Sequence, residues 1–207
     1  MYVTSRILRA SSGAAMPQAI AMVNYVLEHL NSTHGTQFGA GVSVGGDPAA
    51  IGITGGFESL ADYEALRAKL PTDQDYQAAM QMGDHLFENT TQDTLWNVRI
   101  PPGDQDAVTQ VSSVRMELTR ISEAMTFAAE VAATVSEIVG RPTGLVTAAT
   151  GDRSRLLWVA YSPSLAQIEA DAVTLEANAE YLDLFKRSEG LTQPNTLEQD
   201  IWMRVTP

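Results

Sequence analysis

The chain contains no cysteine. That excludes a disulfide framework, a thiolate-held metal and a cysteine nucleophile, and it fits a reducing compartment. Positive charge is scarce: 13 Lys and Arg stand against 25 Asp and Glu in 207 residues, a net charge of -12. Nucleic acids and anionic membrane surfaces reward clustered cations, so neither is expected as a partner, and the acidity reads as solubility. No run approaches the roughly 18 apolar residues that a membrane helix needs. The opening "MYVTSRILRA" is strand-like, with no separate apolar core or cleavage site for export. A cytoplasmic location is expected. No nucleophile elbow, Ser-His-Asp pattern or spaced carboxylate pair is present. The stretch "GAGVSVGG" has neither the G-x-G-x-x-G spacing of a dinucleotide site nor the Lys-Ser/Thr ending of a P-loop.

What is present is a core and a repeat. With 44% apolar residues the chain can bury a sizeable interior. Displaced by 105 residues, the sequence matches itself without a gap. "SLADYEA" from Ser59 falls on "SLAQIEA" from Ser164, Gly35 on Gly140, Gly39 on Gly144, Gly46-Asp47 on Gly151-Asp152 and Tyr76 on Tyr181. Each copy carries the same order of signals. A strand ("YVTSRIL", "VSSVRMEL") precedes a helix with Pro17 in its first turn and Ile20, Val23, Leu27 and Leu30 along one stripe. Gly35 and Gly140 suit helix C-caps. Hairpins turn at "GGDP" and "TGDRS". Ser59 and Ser164, with Asp62 and Gln167 three residues on, suit capping boxes, and the second helix breaks near Pro71 in the first copy. A final strand, "TLWNVRI" or "DIWMRV", closes each copy.

That order is β-α-β-β-α-β, the ferredoxin-like unit, in an α+β chain. Residues 1–100 form the first repeat, 101–106 ("PPGDQD") a linker and 107–207 the second repeat. Each four-stranded sheet has helices on one face only, and sheet-to-sheet packing covers the other.

The first hairpin is unusual. One face reads Phe38, Ala40, Val42, Val44, Ile51, Ile53 and Phe57; the other reads Gly39, Gly41, Ser43, Gly52, Thr54 and Gly56. The second copy fills the corresponding positions with Gly144, Val146, Ala148, Leu157, Val159 and Tyr161. The fold therefore does not require the glycines. Two causes remain open: a helix carrying Met22, Tyr25 or Met80 pressing on the sheet, or a ligand cavity lined by backbone and helix side chains.

Two such units in tandem resemble the dimeric α+β barrel superfamily, with its dimer fused into one polypeptide. The resemblance rests on topology and duplication across nearly the whole chain. The superfamily includes antibiotic-biosynthesis monooxygenases, haem-degrading monooxygenases, polyketide cyclases, muconolactone isomerase and chlorite dismutase. Haem-degrading members share an Asn on the first strand, a Trp on the second helix and a downstream His. Here the first strands carry no Asn, and none of Trp96, Trp158 and Trp202 falls on a second helix. Chlorite dismutase-like proteins use a proximal His for iron, and the second repeat has no His. The antibiotic monooxygenases' Asn/Trp/Tyr cluster is not placed on this sequence. The resemblance implies a ligand between sheet and helices, and a cofactor-independent oxygenase of an aromatic or polyketide-like substrate, or a cyclase or isomerase. The alternative is a non-catalytic ligand-binding or assembly protein. The fused barrel makes a monomer sufficient, while further homo-oligomerisation stays open.

The expected ligand is a small apolar or aromatic molecule, with the first repeat keeping the pocket and the second serving as scaffold. Candidate catalytic groups are His85, as a general base, and Arg6, as an anchor for an anionic or carbonyl oxygen. Arg6 and Arg115 are read as corresponding positions on the two first strands. Candidate ligand contacts are Tyr25, Gly39, Gly41, Ser43, Gly52, Thr54, Gly56 and Trp96. The repeated Tyr76 and Tyr181 read as helix-to-sheet anchors. His29 falls on the polar side of its helix, His34 precedes Gly35, and His85 is Gly190 in the other copy. No two histidines show ligand spacing, so neither a metal nor a cofactor is expected.

Overall fold

A computed structural model describes residues 1–88 and 92–206. The first repeat contains β1 (Tyr2–Arg9), α1 (Met16–His34), β2 (Phe38–Val44), β3 (Ala50–Phe57), α2 (Leu60–Lys69), α3 (Gln74–Gly83) and β4 (Gln92–Ile100). The second contains β5 (Val108–Arg115), α4 (Ile121–Val139), β6 (Thr143–Ala148), β7 (Arg155–Ser162), α5 (Leu165–Glu176), α6 (Ala179–Arg187) and β8 (Glu198–Arg204). This is the α+β architecture of tandem ferredoxin-like units. The strands hydrogen-bond in the closed order β1-β3-β2-β8-β5-β7-β6-β4. The chain divides into two compact units, Met1–Trp96 together with the residues from Trp202 on, and Asn97–Ile201. No helix among the described residues is long and apolar enough to cross a membrane.

Local chemistry sets the element ends. Gly35 and Gly140 close α1 and α4 at φ 65° and 69°, a left-handed conformation that glycine adopts without a Cβ penalty. Ser59 and Asp62 form a reciprocal capping box on α2. Ser164 caps α5 through the Gln167 N–H, but the Gln167 side chain turns instead to Asp171, donating at 3.0 Å. The second helical region is broken in both repeats. Pro71 lies at the first break; the second occurs without proline. Common to both is the cap that restarts the helix, Asp73 in one unit and Asn178 in the other.

In the first unit Ala19, Val23, Leu27 and Leu30 of α1 bury against Ala40 and Ile51 of the sheet. In the second, Ala124, Phe127 and Ala128 of α4 bury against Val114, Leu145 and Leu156. Each buried large aliphatic side chain contributes about 1.5–3 kcal/mol, which holds the helices on one face of each sheet.

Strand register corrects one correspondence. Arg9 pairs with Ala50 across β1 and β3, and Arg115 with Arg155 across β5 and β7. Ala50 and Arg155 are repeat equivalents, so Arg115 corresponds to Arg9 rather than to Arg6. The ion pairs agree: Arg9 meets Asp47 and Arg115 meets Asp152, both at 2.8 Å. Arg6, opposite Ile53, corresponds to Ser112, opposite Trp158. The repeat slips by one residue between the first strands and the hairpins, which an ungapped comparison cannot show.

The bare hairpin face also has an explanation that neither sequence-based alternative supplied. What closes on it is Trp202, from β8. A Cβ on Gly52 would lie 3.1 Å from the Trp202 ring, and one on Gly41 would lie 3.0 Å from the Met203 carbonyl oxygen and 3.3 Å from the Trp202 Cβ. The helices instead cover the opposite face, with Phe38, Ala40, Val42, Ile51 and Ile53. A Cβ on Gly56 would meet nothing within 4 Å, in keeping with Tyr161 at the equivalent position.

Candidate ligand cavities

Between sheet and helices, each unit holds a cavity. The first, of about 310 Å3, is floored by Thr4, Arg6, Leu8, Phe38 and Ile53 and roofed by apolar side chains of α1, α2 and α3, including Met22, Val26, Leu66 and Met80. One end is polar. Arg6 donates from Nε to Asp93 Oδ1 at 2.6 Å and from Nη2 to Oδ2 at 2.5 Å, a two-point fork that fixes the guanidinium plane. This hydrogen bonding raises the Arg6 pKa and lowers that of Asp93, against the opposing effect of burial. Tyr76 and Tyr63, which also line the cavity, further favour the Arg6 charge. Arg67 of α2 adds positive charge beside Asp93 and forms no salt bridge among the described residues.

The aromatic lining follows from a close strand contact. Phe38 sits opposite Gly55, and a Cβ there would fall 2.3 Å from the Phe38 ring. Phe38 then meets Phe57 edge-on at 5.9 Å between centroids, and Phe57 meets Tyr63 at 5.2 Å.

The second cavity, of about 380 Å3, lies in the repeat read from the sequence as scaffold. Thr143 and Ala160 occupy the places of Phe38 and Gly55. A threonine where the first unit has a phenylalanine leaves more room. Its Oγ1 is buried and has no hydrogen-bond partner among the described residues. Ser112, Gln199 and the ion pair of Arg141 with Asp171 line this cavity. Trp158 donates from Nε1 to the Ala128 carbonyl at 2.9 Å, so it is both wall and core. Tyr181 lines the space, and burial raises its pKa.

Of the candidate catalytic and ligand-contact residues, Arg6 lines the first cavity and the others do not. Gly39, Gly41, Ser43, Gly52, Thr54 and Gly56 belong to the face turned away from the helices. Trp96 is buried and donates to Ser5 Oγ at 2.8 Å. Tyr25 is 52% exposed on the outer side of α1, and His85 is exposed on the turn that follows α3. Tyr76 and Tyr181 do join the cores, and both also reach the cavities. Asp93, Tyr63, Arg67 and the whole second cavity were missed. A register-corrected repeat would have exposed Arg6 as the charged member of a pair whose twin is Ser112.

Two of the three histidines lie close together. His29 and His34 both place Nε2 2.8 Å from Asp73 Oδ2. The chain brings together, from α1 and the start of α3, three groups that spacing alone kept apart.

No family model matches the chain, and no curated protein matches it. Solved structures share its fold. A candidate monooxygenase from Lactobacillus acidophilus NCFM aligns over 99% of this chain and 94% of its own, at TM-score 0.71 and 11% identity. A candidate monooxygenase from Fusobacterium nucleatum aligns over 99% and 92%, at 0.70 and 9%. An anthrone oxidase-like protein aligns over 98% and 90%, at 0.65 and 11%.

Proposed function

For a chain with the dimeric α+β barrel fold, both barrel halves in one polypeptide, we propose that the first-unit cavity binds a small aromatic or polyketide-like molecule and oxidises it with O2 without a bound cofactor. The observation that carries this reading is an apolar cavity with one charged end. Its volume lies at the small end of the ~300–1,000 Å3 typical of ligand sites. The apolar walls suit a ring system, and Arg6 and Arg67 suit a phenolate or enolate oxygen. Stabilising that anion makes the substrate electron-rich, the state that reacts with O2 directly. In the balanced reaction a ring methylene becomes a carbonyl; one oxygen atom enters the product and the other leaves with the two hydrogens as water. No outside reductant is consumed. The names of the structural neighbours, two candidate monooxygenases and an anthrone oxidase-like protein, lend the reaction class support.

A second reading, ligand binding without turnover, is favoured by Asp93, which already takes the Nε and Nη2 donors of Arg6. Oxygen uptake with hydroxylated polycyclic aromatics that carry a ring methylene, followed by mass analysis of the product, separates the two. The oxygenase reading expects uptake that falls at least ~100-fold in Arg6→Leu, the scale of losing one transition-state charge contact. Saturable binding with no uptake leaves the binding reading standing. If none of the compounds binds, this cavity is not a site for that class.

A further inference from the structure

We propose that His29, His34 and Asp73 form a binding site for one divalent transition-metal ion, with Zn2+ the best match. The proposal is independent of the cavity's function. Each residue offers one ligand atom, and the three lie within 4.8 Å of one another; both imidazole Nε2 atoms contact Asp73 Oδ2 at 2.8 Å. A tetrahedral ion with ligands at ~2.0–2.1 Å holds them about 3.3 Å apart. The observed 2.8 Å contacts open to that spacing by small side-chain rotations. The donor set, two nitrogens and one oxygen, matches the borderline-soft character of zinc and leaves one position for water. The side chains are 18%, 11% and 10% exposed, sheltered yet within reach of solvent.

The surrounding groups hold the ligands in place. Asp73 Oδ1 accepts the Tyr76 N–H at 3.0 Å as the cap of α3, which turns Oδ2 toward the histidines. Thr33 Oγ1 lies 3.4 Å from His29 Nδ1. That hydroxyl can accept from Nδ1–H, the bond made by the tautomer that leaves Nε2 free for a metal.

The second repeat is a built-in control. At the equivalent positions it has Thr134, Val139 and Asn178. Its helix still ends at a left-handed glycine, and Asn178 still caps the next helix. The architecture is thus complete without imidazoles, and the two histidines add something that the fold does not demand.

Those same residues supply folding-compatible substitutions. The metal-stripped full chain is titrated calorimetrically with Zn2+, alongside the triple variant His29→Thr, His34→Val, Asp73→Asn and the control His85→Gln. The expected result is one Zn2+ per chain in the wild type and in His85→Gln. In the triple variant the loss should exceed the ~10–100-fold that follows removal of an outer-sphere partner, with its circular dichroism unchanged. Equal affinity in wild type and triple variant, including no binding in either, overturns the proposal. Should the triple variant not fold, Co2+ added to the wild type decides: visible ligand-field bands of a four-coordinate ion support the site, and their absence overturns it.

Discussion

The two repeats share their punctuation and differ in what faces their cavities. Helix ends are kept: Gly35 and Gly140, Ser59 and Ser164, Asp73 and Asn178. So is the tyrosine on the last helix of each unit, Tyr76 and Tyr181. The cavity walls are not kept. Arg6 has Ser112 as its counterpart, Phe38 has Thr143, Gly55 has Ala160, and Leu66 stands where Asp171 pairs with Arg141. One architecture therefore holds two differently shaped and differently charged spaces. Residues repeated in both units report what the fold needs; those that diverge mark where the units could do different things.

The strongest way to break that comparison is to give the first unit the side chains of the second where Trp202 lies. Gly41→Val and Gly52→Leu introduce the residues of Val146 and Leu157. Each should cost about 1–3 kcal/mol by overpacking, because the Gly41 Cβ meets main chain and the Gly52 Cβ meets the ring. Denaturant unfolding measures the loss, and Trp202→Ala should recover much of the Gly52→Leu cost. Full stability in Gly52→Leu alone would show that Trp202 does not need that glycine.

A smaller effect is expected on the helix side. Gly55→Ala should destabilise by about 1–2 kcal/mol with Phe38 present and by less in a Phe38→Thr background, where the ring that its Cβ strikes is gone. Additive costs would mean that the ring moves aside freely. The paired variant should also enlarge the first cavity toward the second, read as acceptance of a bulkier ligand.

The smallest of the three concerns charge. Asp93→Asn should cost about 1 kcal/mol at pH 7, because the Arg6 pair is about one-third exposed and solvent screens it. The sign with pH follows from the lowered Asp93 pKa. The folded chain holds this carboxylate more tightly than the unfolded chain does, so the stability is present above the unfolded value of about 3.9. It is lost as pH falls from there through the folded value. Urea unfolding of wild type and Asp93→Asn should therefore converge in acid; a constant gap would place its origin outside the ion pair.

Periodicity and repetition made the fold legible. The stripe on α1, the cap serines and the two C-cap glycines are local signals, and together they spell two β-α-β-β-α-β units. The cavity was legible only in Arg6, since a charge on a strand with both faces covered demands a partner. Its partner Asp93 lies 87 residues away, beyond any spacing rule. The glycine face was noticed correctly as an anomaly, but its cause sits on the last strand.

By itself, then, the sequence determined element order, duplication and helix caps, because those depend on neighbours within a few residues, but not which face of the first hairpin turns to its helices. Only the tertiary structure decided that Trp202 closes on Gly41 and Gly52, that Arg6 meets Asp93, and that two histidines converge on Asp73. Each of those contacts joins chain segments distant in sequence, and their geometry follows from strand pairing and helix packing rather than from local preference.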